Sequence, residues 1–122
     1  MKTKVFSDGF EGHKRRSLER AKRLVKGERL EAERVITFAD PLDMVTCLSA
    51  ERVRLVQTVR RKRLSISSLA EELGRNRGAV TRDVKKLAEF GLVRVRQQNN
   101  PGHGIVQIVE PIAHKLVMRA DI

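Results

Sequence analysis

The sequence predicts an α+β fold: a three-helix core and a β-hairpin, preceded by an N-terminal β-α-β extension. Three observations predict it. Between Ser49 and Phe90 the apolar residues recur at helical spacing, interrupted at Gly74 and closed at Gly91. After Gly91 the period drops to two, with Val93 and Val95 alternating with Arg94 and Arg96, then Val106 and Ile108 with Ile105 and Gln107. Between those two stretches lies Asn99-Asn100-Pro101-Gly102-His103-Gly104, dense in turn residues.

Each element follows in order. Thr3–Phe6 reads as a short strand before the turn residues Ser7-Asp8-Gly9. Residues 14–26 read as a helix with Leu18, Ala21, Leu24 and Val25 on a narrow apolar stripe, stopped by Gly27. Its other face is basic, carrying Lys14, Arg15, Arg16, Arg20, Lys22, Arg23 and Lys26. Glu33 to Ala39 reads as a strand, and Pro41 opens a short helix through Leu48, since proline is tolerated in a first turn. Ser49 caps a helix from Ala50 to about Arg63, with Val53, Leu55, Val56 and Val59 facing inward. Ser65, with Ser67 competing, caps the next helix, which runs to Leu73. The third spans Arg77 to Phe90. Helix, helix, helix, hairpin is the order of a winged helix. Residues 1–39 are thus expected to form an extension serving dimerisation, and residues 40–122 a winged helix-turn-helix domain.

Charge narrows the partner. The 122 residues hold 26 Lys and Arg against 15 Asp and Glu, a net charge of +11. By segment the excess is +5 over residues 1–36, +3 over 37–64, +3 over 65–98 and zero over 99–122. A diffuse excess of this kind suits a phosphate footprint more than a single cationic tail. The four aromatic residues, Phe6, Phe10, Phe38 and Phe90, are too far apart to form a base-stacking platform, so duplex is favoured over single strand. No apolar run is long enough for a membrane span. The polar start Met1-Lys2-Thr3-Lys4 and the single cysteine, Cys47, fit a cytoplasmic protein. Catalysis has no foothold: no Gly-rich phosphate loop, nucleophile elbow or His-centred acid/base set is present. His13, His103 and His114 show no ligand spacing, so neither metal nor cofactor is expected.

Leu69-Ala70-Glu71-Glu72-Leu73-Gly74-Arg75-Asn76-Arg77-Gly78-Ala79-Val80-Thr81-Arg82 closely resembles a helix-turn-helix. Ala70 must be small because the next helix crosses over it, and Gly74 supplies the positive φ of a tight turn. Leu69, Leu73 and Val80 fill the wedge between the helices, and Asn76 can cap the second. Arg75 stands where such motifs usually have an apolar residue; its long stem can cover apolar surface. On the second helix Val80, Val84 and Leu87 share one stripe, while Arg77, Gly78, Thr81, Arg82 and Lys85 share another. The expected DNA-contacting set is Asn76, Arg77, Gly78, Thr81, Arg82, Lys85 and Lys86, with Arg94 and Arg96 on the wing. Arg82 and Arg77 are expected to read bases, Thr81 and Lys85 to meet base or phosphate, and Lys86 phosphate. Gly78 would allow close backbone approach.

From Ile36 to Val109 the chain resembles the winged helix-turn-helix regulators of the MarR-like superfamily, most specifically over Leu69–Val93. The wider layout is similar to a family of predicted prokaryotic regulators with an N-terminal strand and helix, then a strand leading into a short Pro-initiated helix. Val35-Ile36-Thr37-Phe38-Ala39-Asp40-Pro41, Leu48-Ser49-Ala50-Glu51-Arg52 and Arg82-Asp83-Val84 fit that layout. The resemblance implies a homodimer that binds double-stranded DNA and regulates transcription. Some members of that family are antitoxins, so the alternative is a protein-binding module whose main partner is a toxin protein, with Pro111–Ile122 as its binding segment.

Several residues keep two readings. Arg94 and Arg96 suit phosphate or minor-groove contact and equally a solvated strand face. Asn99–Gly104 suits a DNA-touching wing tip and equally a loop without contacts. For the basic helix dimerisation is favoured over a DNA-flanking arm or a solvated helix. Cys47 reads as a small hydrophobe, and Asp83 as the partner of a nearby basic side chain.

Overall fold

The computed structural model describes residues 2–102 and 104–122. Met1 and His103, the latter in the expected hairpin turn, lie outside the described residues. In chain order the elements are β1 (Lys2–Phe6), α1 (Gly9–Val25), β2 (Glu33–Thr37), α2 (Pro41–Cys47), α3 (Ala50–Arg61) and β3 (Leu64–Ser65). They continue with α4 (Ile66–Leu73), α5 (Arg77–Glu89), β4 (Val93–Asn100), β5 (Gly104–Pro111) and β6 (Lys115–Arg119).

The chain divides into two units, Met1–Leu48 with Lys115–Ile122, and Ser49–His114. The expected boundary between residues 39 and 40 is therefore displaced. The helix opened by Pro41 goes with the N-terminal segment, and the C-terminal residues return to it. The reason is backbone hydrogen bonding: β6 pairs in parallel with β1, setting Lys2 opposite Lys115 and Phe6 opposite Arg119. On the other side β2 pairs in parallel with β1, Lys2 opposite Glu33 and Phe6 opposite Thr37. The sheet order is β2-β1-β6.

Along β1 the pleat separates two environments. Thr3 and Val5, followed by Ser7, point to one side and are buried, whereas Lys2, Lys4 and Phe6 point to the other and are half-buried. The second side meets α1 through charge. The Arg16 guanidinium lies 3.6 Å from the Phe6 ring centroid and donates to Thr37 Oγ1 at 3.0 Å. Glu33 accepts both Arg20 at 3.0 Å and Lys4 at 3.2 Å. Helix α1 starts at Gly9, five residues before the expected position, and Asp8 directs its carboxylate to Arg16 instead of capping the helix. The hydrogen bond from Arg16 pulls the Asp8 carboxyl below its usual range against the opposing effect of burial. Gly12 makes this possible, because a Cβ there would fall 2.0 Å from Asp8 Cγ.

The second unit runs α3-β3-α4-α5-β4-β5, the connectivity of a winged helix-turn-helix. Ser49 Oγ accepts from the Arg52 N–H at 3.4 Å and Ser65 Oγ from the Ser68 N–H at 3.2 Å, so Ser65 is the cap of α4. Leu55, Val56, Val59, Ile66, Leu69, Val80, Val84, Leu87, Leu92, Val93 and Val109 form the buried core. Val53 stays half-buried. Helix α3 ends at Arg61, two residues short of the expected end. Lys62 turns extended at φ −153° and leads into β3, which pairs Leu64 with Val109 and Ser65 with Ile108 on β5. The hairpin therefore forms a three-stranded sheet in the order β3-β5-β4.

Candidate nucleic-acid interface

The turn between α4 and α5 is fixed by three side-chain choices. Gly74 adopts φ 62° and ψ 35°, left-handed backbone that disfavours any residue with a Cβ. From this position its N–H and that of Arg75 reach the Glu71 and Ala70 carbonyls at 3.1 and 3.0 Å. Asn76, in extended conformation, receives the N–H groups of Gly78 and Ala79 on Oδ1 at 2.7 and 3.4 Å. A Cβ on Gly78 would stand 3.0 Å from that oxygen, so glycine here makes room for the cap.

Beyond the cap, α5 separates two faces. Val80, Asp83, Val84 and Leu87 are buried. Arg77, Gly78, Thr81, Arg82, Lys85 and Lys86 are exposed. Thr81 Oγ1 donates back to the Arg77 carbonyl at 2.8 Å, and Lys86 pairs with Glu89 at 3.7 Å. Among the described residues, the side chains of Arg77, Arg82 and Lys85 have no ion-pair partner. They form a cationic face on an otherwise anchored helix.

The anchoring includes a charge network that explains Arg75. Asp83, turned inward, accepts from Arg52 Nε at 3.1 Å and from an Arg75 terminal nitrogen at 2.7 Å, while Arg75 also meets Glu51 at 3.2 Å. Burial pushes the Asp83 carboxyl up, but the hydrogen bonds from Arg75 and Arg52 outweigh it and hold the group below its usual range. The network ties α3, the turn and α5 together at the point where the orientation of α5 is set. An apolar side chain at position 75 would leave Asp83 with one cation fewer.

On the wing, β4 and β5 pair antiparallel with Arg94 opposite Glu110 and Arg96 opposite Ile108. Arg94 and Arg96 alternate onto one face and both reach Glu110, at 3.1 and 2.6 Å. The Glu110 side chain is 3% exposed, whereas the arginines are 64% and 50% exposed. The hydrogen bond from Arg96, then that from Arg94, holds the Glu110 carboxyl below its usual range against the opposing effect of burial. Two wing cations therefore share one carboxylate. Glu110 was absent from the expected set, although a hairpin turning at Asn100–Gly104 already implies its pairing with Arg94 by register.

Residues 47–110, just over half of the chain, match the family model HVO_A0114. The chain belongs to the HVO_A0114 family. The matched span of this HVO_A0114 chain begins at the last residue of α2 and ends at Glu110, so it includes α5, the Asp83 network and both wing arginines. Comparison with curated proteins finds no match. Among solved structures, similarity is found to a "possible transcriptional regulator" from Methanosarcina mazei Go1, at 23% identity over 57% of this chain and 62% of that one, TM-score 0.49. The chain thus spans less than two thirds of that structure. NolR from Sinorhizobium fredii is similar at 14% identity, 60% and 69% coverage and TM-score 0.49. A homodimeric winged helix-turn-helix DNA-binding domain from Mycobacterium bovis, a possible ArsR-family regulator, is similar at 17% identity, 59% and 67% coverage and TM-score 0.48. At these identities and scores none of the three transfers a ligand or an assembly to this HVO_A0114 chain.

The remaining expected features fall outside this face. Residues 115–119, within the neutral segment Pro111–Ile122, are hydrogen-bonded to β1 as β6, an edge strand of their sheet. Cys47 is half-buried. Among the described residues no three His, Cys, Asp or Glu side chains gather as metal ligands, and no helix is long and apolar enough to cross a membrane.

Proposed function

We propose that this chain is a sequence-specific, double-stranded DNA-binding transcriptional regulator of MarR-like character that acts as a homodimer, with α5 as its recognition helix. The observation that supports it best is the division of α5. Val80, Val84, Leu87 and the Asp83 network hold one face, while Arg77, Arg82 and Lys85 are exposed on the other with no ion-pair partner among the described residues. A helix so anchored can enter a major groove and offer arginine forks to guanine edges. Asn76 and Gly78 contribute by capping: they set where the N-terminal N–H groups of α5 point, which suits a phosphate at that terminus. Thr81 and Lys85 flank Arg82 as base or phosphate contacts, Lys86 meets phosphate, and Arg94 and Arg96 contact backbone from the wing. In a two-fold dimer the paired α5 helices would meet successive major grooves about 34 Å apart. The net charge of +11 supplies sequence-independent attraction, and α5 supplies discrimination.

Fluorescence anisotropy with a random-sequence duplex tests the first half of this reading. Binding at low salt that weakens linearly on a log–log plot against salt is expected. A chain that holds no duplex at low salt would overturn it.

A further inference from the structure

Helix α1 is amphipathic, yet it turns the wrong face inward. Arg16, Arg20 and Arg23 lie toward the sheet, where they frame a charged cleft of about 310 Å³ with Lys2, Lys4 and Glu33. The opposite face carries Phe10, Leu18 and Val25, which are 75%, 57% and 88% exposed. Helices in water normally bury the apolar stripe and expose the charges. An inverted helix retains its apolar stripe exposed at a cost in every copy of the chain, and a second surface that covers the stripe removes that cost.

The charges beside the stripe select the occupant. Glu11 lies at the N-terminal end of the outer face and Lys22 at the C-terminal end. This order is complementary to itself when reversed. We propose that the outer face of α1 is a homodimer interface in which two copies of α1 pack antiparallel about a two-fold axis. Glu11 then meets Lys22 of the second copy about a centre midway between them on the helix, since the two lie eleven residues, about three turns, apart on one stripe. The two Leu18 side chains meet near that centre, and Phe10 of each copy packs beside Val25 of the other. A parallel pair would instead set Glu11 against Glu11 and Lys22 against Lys22. Antiparallel packing also opposes the helix dipoles favourably. An isologous contact of this kind closes at two copies. This inference specifies the homodimer of the proposed function and does not depend on the DNA-binding half of it.

Sedimentation equilibrium of the full chain without DNA tests it, so failure of DNA binding cannot be mistaken for failure of the interface. The substituted residues are exposed, and circular dichroism verifies that each variant is folded. A concentration-dependent dimer is expected, abolished by Leu18→Asp. Glu11→Lys and Lys22→Glu should each weaken it at least fivefold, and the combined variant should recover most of that loss. A strictly monomeric chain would overturn the interface, as would a dimer indifferent to Leu18→Asp. Failure of the combined charge reversal to recover affinity would overturn the antiparallel arrangement.

Discussion

Arg82 is the residue on which the functional reading turns most sharply. It is exposed, carried on a rigid helix and free of ion-pair partners among the described residues. Arg82→Ala is expected to cost about 1–3 kcal/mol on the preferred duplex and to blunt discrimination at one base position. Equal losses on preferred and random duplex, compared by anisotropy titration, would make it a phosphate contact instead. Asp83, one residue along, is buried and has the opposite task. Asp83→Asn is expected to lower unfolding stability at pH 7 by about 1–3 kcal/mol, because two partly buried guanidiniums lose their shared carboxylate. Its carboxyl is held lower in the folded chain than in the unfolded one. The stability it lends is therefore present above the ordinary carboxylate range, about pH 4, and is lost as pH falls through the depressed folded value. Urea melts of both proteins at neutral and acid pH should show the gap closing toward acid. A gap independent of pH would mean that the network acts through packing, not charge. The sequence shows that Asp83 needs a basic neighbour but not which one: Arg52 lies on another helix, and Arg75 is brought near only by the turn.

Elements were legible where one local signal dominates. Gly74 and Asn76 mark the turn because left-handed backbone and an N-cap each restrict residue choice. With open space around a Cβ at Gly74, its cost is purely conformational. Gly74→Ala should destabilise by about 1–2 kcal/mol, with Gly74→Asn milder, as chemical denaturation can verify. Elements set by distant pairing were not legible. The two residues of β3 exist because β5 offers Val109 and Ile108, and β6 has no alternating pattern, only Leu116-Val117-Met118, fixed by its pairing with β1. For the wing, the shared Glu110 carries a quantitative consequence. Replacing both Arg94 and Arg96 by alanine should lower the salt slope of duplex binding by about 1, not 2, because one carboxylate already offsets one charge. A fall of two or more would show that both arginines leave Glu110 on DNA.

At the scale of the whole molecule, charge alone pointed to a polyanionic partner, and the structure sorts that charge into two populations. Arg52, Arg75, Arg16, Arg20 and Lys4 are engaged in ion pairs that hold the units together internally. Arg77, Arg82 and Lys85 remain available on α5. Composition cannot make that distinction, since it depends on which carboxylates folding brings near. Nor could the sequence reveal that α1 faces its sheet with arginine, because an amphipathic pattern does not say which side meets the protein. The central claim, sequence-specific binding through α5 as a dimer, is tested most directly by selecting bound duplexes from a random pool with the full chain. The account predicts enrichment of a palindromic motif with half-sites about 10 bp apart, lost when Arg77 and Arg82 are both alanine. A pool that stays random after selection, or a motif unchanged by those substitutions, would contradict it.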